Sequence, residues 1–154
     1  MEIVIPGQKR VVINHLVLDF NGTIALDGVV LPDVMEKLIK LNKLLKIHVL
    51  TADSNGSAAR ECMGLPVELN VIGKENQREE KSAFVRKIGP GVAALGNGVN
   101  DELMFRESDL SIAIIGKEGC ATVTLIASTI VVREVTDGLD LLLMHHRLIP
   151  TLRK

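Results

Sequence analysis

Six short runs of apolar residues recur along this chain, each followed by a longer stretch of mixed polarity. They are residues 11–19 (VVINHLVLD), 46–50 (KIHVL), 68–72 (ELNVI), 92–95 (VAAL), 111–115 (SIAII) and 129–132 (TIVV). Runs this short, rich in Val and Ile and carrying little polar alternation, read as strands covered on both faces, the habit of parallel sheets. The stretches between them carry helical spacing. Residues 32–45 open with Pro32 in a first-turn position and repeat Val34, Leu38, Leu41 and Leu45, and residues 75–88 gather Phe84, Val85 and Ile88 on one face. A closing helix is expected over 136–146, with Leu139, Leu142 and Leu143 in the core. Regular alternation of this kind predicts an α/β fold, a doubly wound parallel sheet in one domain spanning residues 1–154. Two stretches break it. Residues 22–30 (GTIALDGVV) carry the turn signal Asp27-Gly28 and predict a β-hairpin flap, and residues 2–13, centred on Pro6-Gly7, predict a second hairpin.

Composition narrows the function classes. With three Phe and neither Trp nor Tyr, the chain lacks the aromatic platforms on which single-stranded nucleic acids stack. Eighteen basic and 19 acidic residues leave a net charge of −1, so no overall field draws the protein to nucleic acid or an anionic membrane. Cys62 and Cys120 are too few for a disulfide framework or a zinc site and read as thiols of a reducing compartment. No apolar run reaches the length of a membrane span and no leader is recognisable, so a cytoplasmic location is expected.

In a doubly wound sheet the ligand crevice lies beyond the carboxyl ends of the strands, so the polar residues that follow each strand matter most. Asp19 ends the first long strand, and the turn through Asn21-Gly22 can aim backbone amides beside it. Thr51 follows the second strand within LTAD. A later strand runs into Gly96-Asn97-Gly98 and then Asn100-Asp101. Lys81, at the head of a helix, can bring the cation that anionic chemistry needs, with Lys74 as its rival.

Together these residues resemble the motifs of the haloacid dehalogenase superfamily of phosphoryl-transfer enzymes, in particular the phosphorylation domain of P-type ATPases. The first motif of that superfamily, D-x-D-G-T or D-K-T-G-T, is matched by Asp19-Phe20-Asn21-Gly22-Thr23. The second, LTGD in the pumps, is matched by LTAD around Thr51 and Ala52; the third, a lysine, by Lys81; and the fourth, GDGxND, by Gly96 to Asp101. The resemblance covers roughly residues 14–135. It implies a haloacid dehalogenase-like Rossmannoid core and a phosphatase or phosphotransferase in which Asp19 is the nucleophile and forms an aspartyl phosphate. It implies Mg²⁺ held by Asp19, the Asn21 carbonyl, Asn97 and Asp101. Thr51, Lys81 and the residues Gly22, Thr23, Ala52 and Asn100 would bind the substrate's phosphoryl group. Only about 30 residues separate the first motif from the second, and the second from the third, so neither position holds a cap domain. An uncapped site favours selectivity supplied by the flap, a protein partner or a second copy of the chain, and a homo-oligomer is the expectation.

The chain departs from the pattern twice. Asn21 stands where most phosphatases of the superfamily carry a second Asp as general acid and base, which predicts slow turnover, because such help is typically worth about 10²- to 10⁴-fold. Asp27, Asp53 and Glu102 are candidates to substitute for it, although a cap or a solvated side chain is the simpler reading of each. Asn97 stands where the main metal-binding Asp is found, which removes one negative charge. A regulatory phosphoacceptor or a silent binding subunit is the alternative function. His15 and His48 read as core or rim residues, and His145-His146 as the exposed end of the last helix.

Overall fold

The computed structural model describes residues 1–8, 10–53 and 56–154. In chain order its elements are β1 (Glu2–Ile3), β2 (Val11–Val12), β3 (His15–Asp19), β4 (Ala25–Leu26), β5 (Val29–Val30), α1 (Val34–Leu41), β6 (Lys46–Thr51), α2 (Ser57–Cys62), β7 (Glu68–Val71), α3 (Gln77–Ile88) and β8 (Val92–Gly96). A 3-10 turn (Val99–Asp101) leads into α4 (Glu102–Glu107), followed by β9 (Leu110–Ile114), α5 (Thr122–Ala127), β10 (Ile130–Val132), α6 (Val135–Leu143) and α7 (His145–Leu152).

All six strands of the main sheet run parallel, in the order β10-β9-β8-β3-β6-β7. From β3 the chain builds first toward β6 and β7, then returns to β3's other side with β8. The strand order therefore reverses at β3, and its carboxyl end opens on the crevice expected of such a switch point. Period-two alternation assigns the two faces. Leu16 and Leu18 pack with Val34, Leu38 and Leu41 of α1 and with Val135, Leu139 and Leu142 of α6. Val17 packs instead with Val85 of α3 and with Met104 and Phe105 of α4. Asp19 shares the parity of Val17, so the strand delivers it toward α3.

The expected doubly wound sheet, the flap β4–β5 and the hairpin β1–β2 are present, although Lys9 within the latter lies outside the described residues. The run expected as one strand over 11–19 divides at Ile13-Asn14. There the chain leaves its antiparallel partner β1 and enters the parallel sheet, and the amides of Asn14 and His15 both bond the Gly91 carbonyl. The closing helix also divides, at Met144, into α6 and α7. His145 and His146 therefore sit at a helix start, not at the helix end the sequence suggested, and lose the favourable dipole position expected there. Gly138 lets α6 lie close on the sheet, since a Cβ there would come within 3.2 Å of Leu95. Among the described residues no helix is long and apolar enough to cross a membrane.

Candidate active site

The chain turns immediately after Asp19. The amides of Thr23 and Ala25 return to the Phe20 carbonyl, and the Gly22 amide bonds the Ala25 carbonyl at 2.8 Å. Gly22 has φ +74°, and a Cβ there would collide with the side chains of Asn97 and Glu118, so only glycine lets the motif-four segment approach this closely. The Thr23 hydroxyl is buried, 3.4 Å from both Asp19 Oδ2 and Asn97 Oδ1, which ties the first motif to the fourth.

Asp19 belongs to a buried ion triad. Lys81 Nζ donates to Asp19 Oδ1 at 2.5 Å and to Asp101 Oδ1 at 2.6 Å. Asp19 is 8% exposed, while Lys81 and Asp101 are both at 0%. Burial, and then the neighbouring Asp101 charge, raise the Asp19 carboxyl to about 6 even though Lys81 pulls the other way. For Lys81 burial opposes the charge, but the two carboxylates outweigh it and hold its pKa above the ordinary lysine value. Asp101 spends its second oxygen on the amides of Asn97 and Gly98, both at 2.9 Å. Both oxygens of Asp101 are thus engaged within the protein, where they orient Lys81 and brace the motif-four turn. Lys74, the rival cation, is exposed in an outer groove with Arg78 and Val99.

Asp19 opens on a polar cavity of about 400 Å³. Of the residues expected there, Asn21, Thr51, Ala52, Asn97 and Asn100 line it; Lys81 and Asp101 are buried next to Asp19 without lining it, and Gly22 and Thr23 line a separate small cavity with Lys117. Thr51 accepts a hydrogen bond from the Asp53 amide, and Asn100 donates to Gln77 Oε1 at 2.9 Å. Three lining residues were not foreseen: Ser57 and Gln77, at the starts of α2 and α3, and Glu118 in the loop after β9. Glu118 obeys the same strand-end rule that singled out Asp19, and that rule could have found it.

Two of the candidate substitutes for a general acid are engaged elsewhere and the third is exposed. Asp53 caps α2 through the amides of Ala58 and Ala59, Glu102 pairs with Arg78 and Arg106, and Asp27 is exposed in the flap turn.

The donor set suits a hard divalent cation. Among the described residues the cavity is lined by Asp19, Asp53 and Glu118 and by no Lys or Arg, and the one lysine behind it, Lys81, is shared between Asp19 and Asp101. A phosphoryl dianion entering such a site needs a compensating positive charge. Among the described residues no three His, Cys, Asp or Glu side chains form a metal cage by themselves. A cation here would draw on carbonyl and amide oxygens and on water beside the carboxylates, as Mg²⁺ does.

Comparison with solved structures decides the fold. The cobalt-bound deoxy-D-mannose-octulosonate 8-phosphate phosphatase of Haemophilus influenzae superposes with a TM-score of 0.70 at 14% identity, over 85% of this chain and 87% of that one. The fold is that of the haloacid dehalogenase superfamily. The Moraxella catarrhalis 3-deoxy-D-manno-octulosonate 8-phosphate phosphatase, in complex with magnesium ion, phosphate ion and a KDO molecule, matches at TM-score 0.64 and 16% identity over 92% and 94% of the two chains. The catalytic domain of the CPx-ATPase CopB-B matches at 0.57 and 22%, over 82% of this chain and 46% of that one. In sequence, an uncharacterized protein of Methanocaldococcus jannaschii is 48% identical over 62 residues, 40% of this chain and 67% of that protein. The copper-transporting ATPase ccc2 of Schizosaccharomyces pombe is 29% identical over 106 residues, 66% of this chain, which spans only 12% of that ATPase's length. No protein-family model matches the sequence.

Proposed function

We propose that this haloacid dehalogenase-fold protein is a Mg²⁺-dependent phosphohydrolase or phosphotransferase that works through a phosphorylated Asp19. The observation that carries the reading is the Asp19–Lys81–Asp101 triad at the carboxyl end of the switch-point strand, behind a polar cavity. Burying two carboxylates and an ammonium is costly, and such groups cluster where their shifted ionisation is used.

In this mechanism a carboxylate oxygen of Asp19 attacks phosphorus, and the bond to the leaving oxygen breaks with its electron pair. Water then attacks the same phosphorus and releases the carboxylate, so one difficult displacement becomes two easier ones. Lys81 holds the carboxylate in place and offsets its repulsion from the incoming anion, while Thr51 and the amide of Ala52 present donors to the phosphoryl oxygens. Asp19, the Asn21 carbonyl and Asn97 Oδ1 would hold Mg²⁺, whose contribution when bound is to neutralise charge on the transferring group. Asn21 has no proton to give, so the leaving group must depart unaided. Substrates whose leaving groups have low pKa are favoured, and the phosphoenzyme is long-lived.

The test is steady-state hydrolysis of an aryl or acyl phosphate by the full chain with and without Mg²⁺, with Asp19→Asn as the control. Metal-dependent turnover that the variant lacks supports the reading. Turnover unchanged in Asp19→Asn, or none at any metal concentration, contradicts it.

A further inference from the structure

The GDGxND motif that Gly96 to Asp101 resembles carries an Asp where this chain has the neutral Asn97, and the structure holds a carboxylate nearby with no evident internal task. Asn97 Nδ2 donates to the Gly119 carbonyl at 3.1 Å, and the Asn97 carbonyl accepts the Ala121 amide at 2.8 Å. These bonds clamp the loop of residues 116–121 against Asn97, in the turn after β8. The other end of the loop is fixed by the Gly116 amide on the Arg133 carbonyl at 2.8 Å. A carboxylate at position 97 could not donate to Gly119, so the side-chain amide adds a tether on this loop beside the two backbone bonds. Glu118 rides on the loop and lines the cavity, its Oε2 beside Gly22 and near the Asn97 amide.

Of the three carboxylates lining the cavity, Asp19 is paired with Lys81 and Asp53 is bonded to two helix amides. Among the described residues Glu118 makes no ion pair or side-chain hydrogen bond. Its neighbour Lys117 lines a separate small cavity with Leu26, Glu134 and Val135. Glu118 is exposed, and its carboxylate stands at the rim of a cavity that already carries excess negative charge, where a bound cation would be a favourable counterpart.

We propose that Glu118 supplies the charge missing at Asn97: it faces the divalent cation of this site through the ion's water shell, and Asn97 serves both as a neutral oxygen donor and as the clamp that positions Glu118. The inference rests on the metal site proposed above. Mg²⁺ keeps several of its waters when bound, and carboxylates that accept from such waters change metal affinity by roughly 10- to 100-fold when removed.

The test is Mg²⁺ binding to the full chain, without substrate, by isothermal titration calorimetry on wild type, Asp19→Asn, Glu118→Gln and Glu118→Lys. Denaturation of each metal-free protein is followed alongside. The expected result is a binding event lost in Asp19→Asn, weakened roughly 10- to 100-fold in Glu118→Gln and weakened further in Glu118→Lys, with metal-free stability unchanged at position 118. Equal affinities in wild type and both Glu118 variants overturn this inference and leave the proposed function standing. A fall in metal-free stability that accompanies the lost affinity assigns Glu118 to the loop's structure and also overturns it. Absence of Mg²⁺ binding in wild type, or binding that Asp19→Asn does not disturb, overturns the metal site itself.

Discussion

At the scale of single residues, the site is organised by what each side chain can do with a proton. Asn21 is exposed at the cavity and cannot act as an acid. Asn21→Asp is expected to raise the hydrolysis of esters with poor leaving groups by about 10²- to 10⁴-fold, read from kcat across a leaving-group series. An unchanged rate would show that the missing acid does not limit turnover. His48 gives a prediction on stability. Burial depresses its pKa most; the Glu68 carboxylate 3.3 Å away opposes the shift, and His15 and Lys46 reinforce it. Its Nε2 lies 3.2 Å from His15 Nδ1, and Phe84 of α3 packs edge-on against the ring. The unfolded chain takes up this proton near the ordinary histidine value while the folded protein resists it. The contribution is therefore complete above about pH 6.5 and is lost as pH falls below it. Urea denaturation between about pH 8 and pH 5.5 should show a flatter decline in His48→Gln than in wild type, and equal declines would contradict the assignment. Asp19, Thr51 and Lys81 were legible in the sequence because strand ends and a helix head have recognisable patterns. The engagement of Asp101 with Lys81 and two amides was not, because spacing does not reveal which way a carboxylate turns.

At the scale of elements, the turn after β3 and the loop after β9 act as a pair, joined through Gly22, Asn97 and Glu118. Gly22→Ala places a Cβ at φ +74° against both side chains, at a backbone cost of about 1–3 kcal/mol before any displacement. It should lower the denaturation midpoint and abolish turnover together, and wild-type activity in this variant would contradict the close packing. The long elements were legible: the 12 residues of α3 and the fully buried runs of β8 and β9 carry patterns long enough to recognise. The helices α2, α4 and α5, at six residues each, fall short of two turns, and their periodicity never develops. The break between α6 and α7 was hidden for a different reason. Apolar spacing continues through Leu142, Leu143 and Met144, and only the backbone at Met144, with φ −126° and ψ 68°, marks the end.

At the scale of the whole molecule, the sheet order sets the chemistry. Reversal at β3 brings residues from β3, β6, α3 and β8 to one point, and alternation of strand with helix predicted such a crevice without fixing the neighbours of each strand. Only the short flap β4–β5, α1 and strand β6 lie between the first motif and Thr51. An uncapped cavity predicts that rates depend on the pKa of the leaving group far more than on its bulk. A matched series of small and bulky aryl phosphates of equal leaving-group pKa should differ in kcat/KM by less than about tenfold, about 1.4 kcal/mol, and a larger spread would point to a covered site. The central claim is that Asp19 is phosphorylated. The most direct measurement is acid quenching after incubation with Mg²⁺ and acetyl phosphate, followed by peptide mapping. The account predicts a hydroxylamine-sensitive phosphoryl group on the peptide containing Asp19, absent in Asp19→Asn; phosphate on another residue, or turnover with no modified Asp19 at any time point, would contradict it.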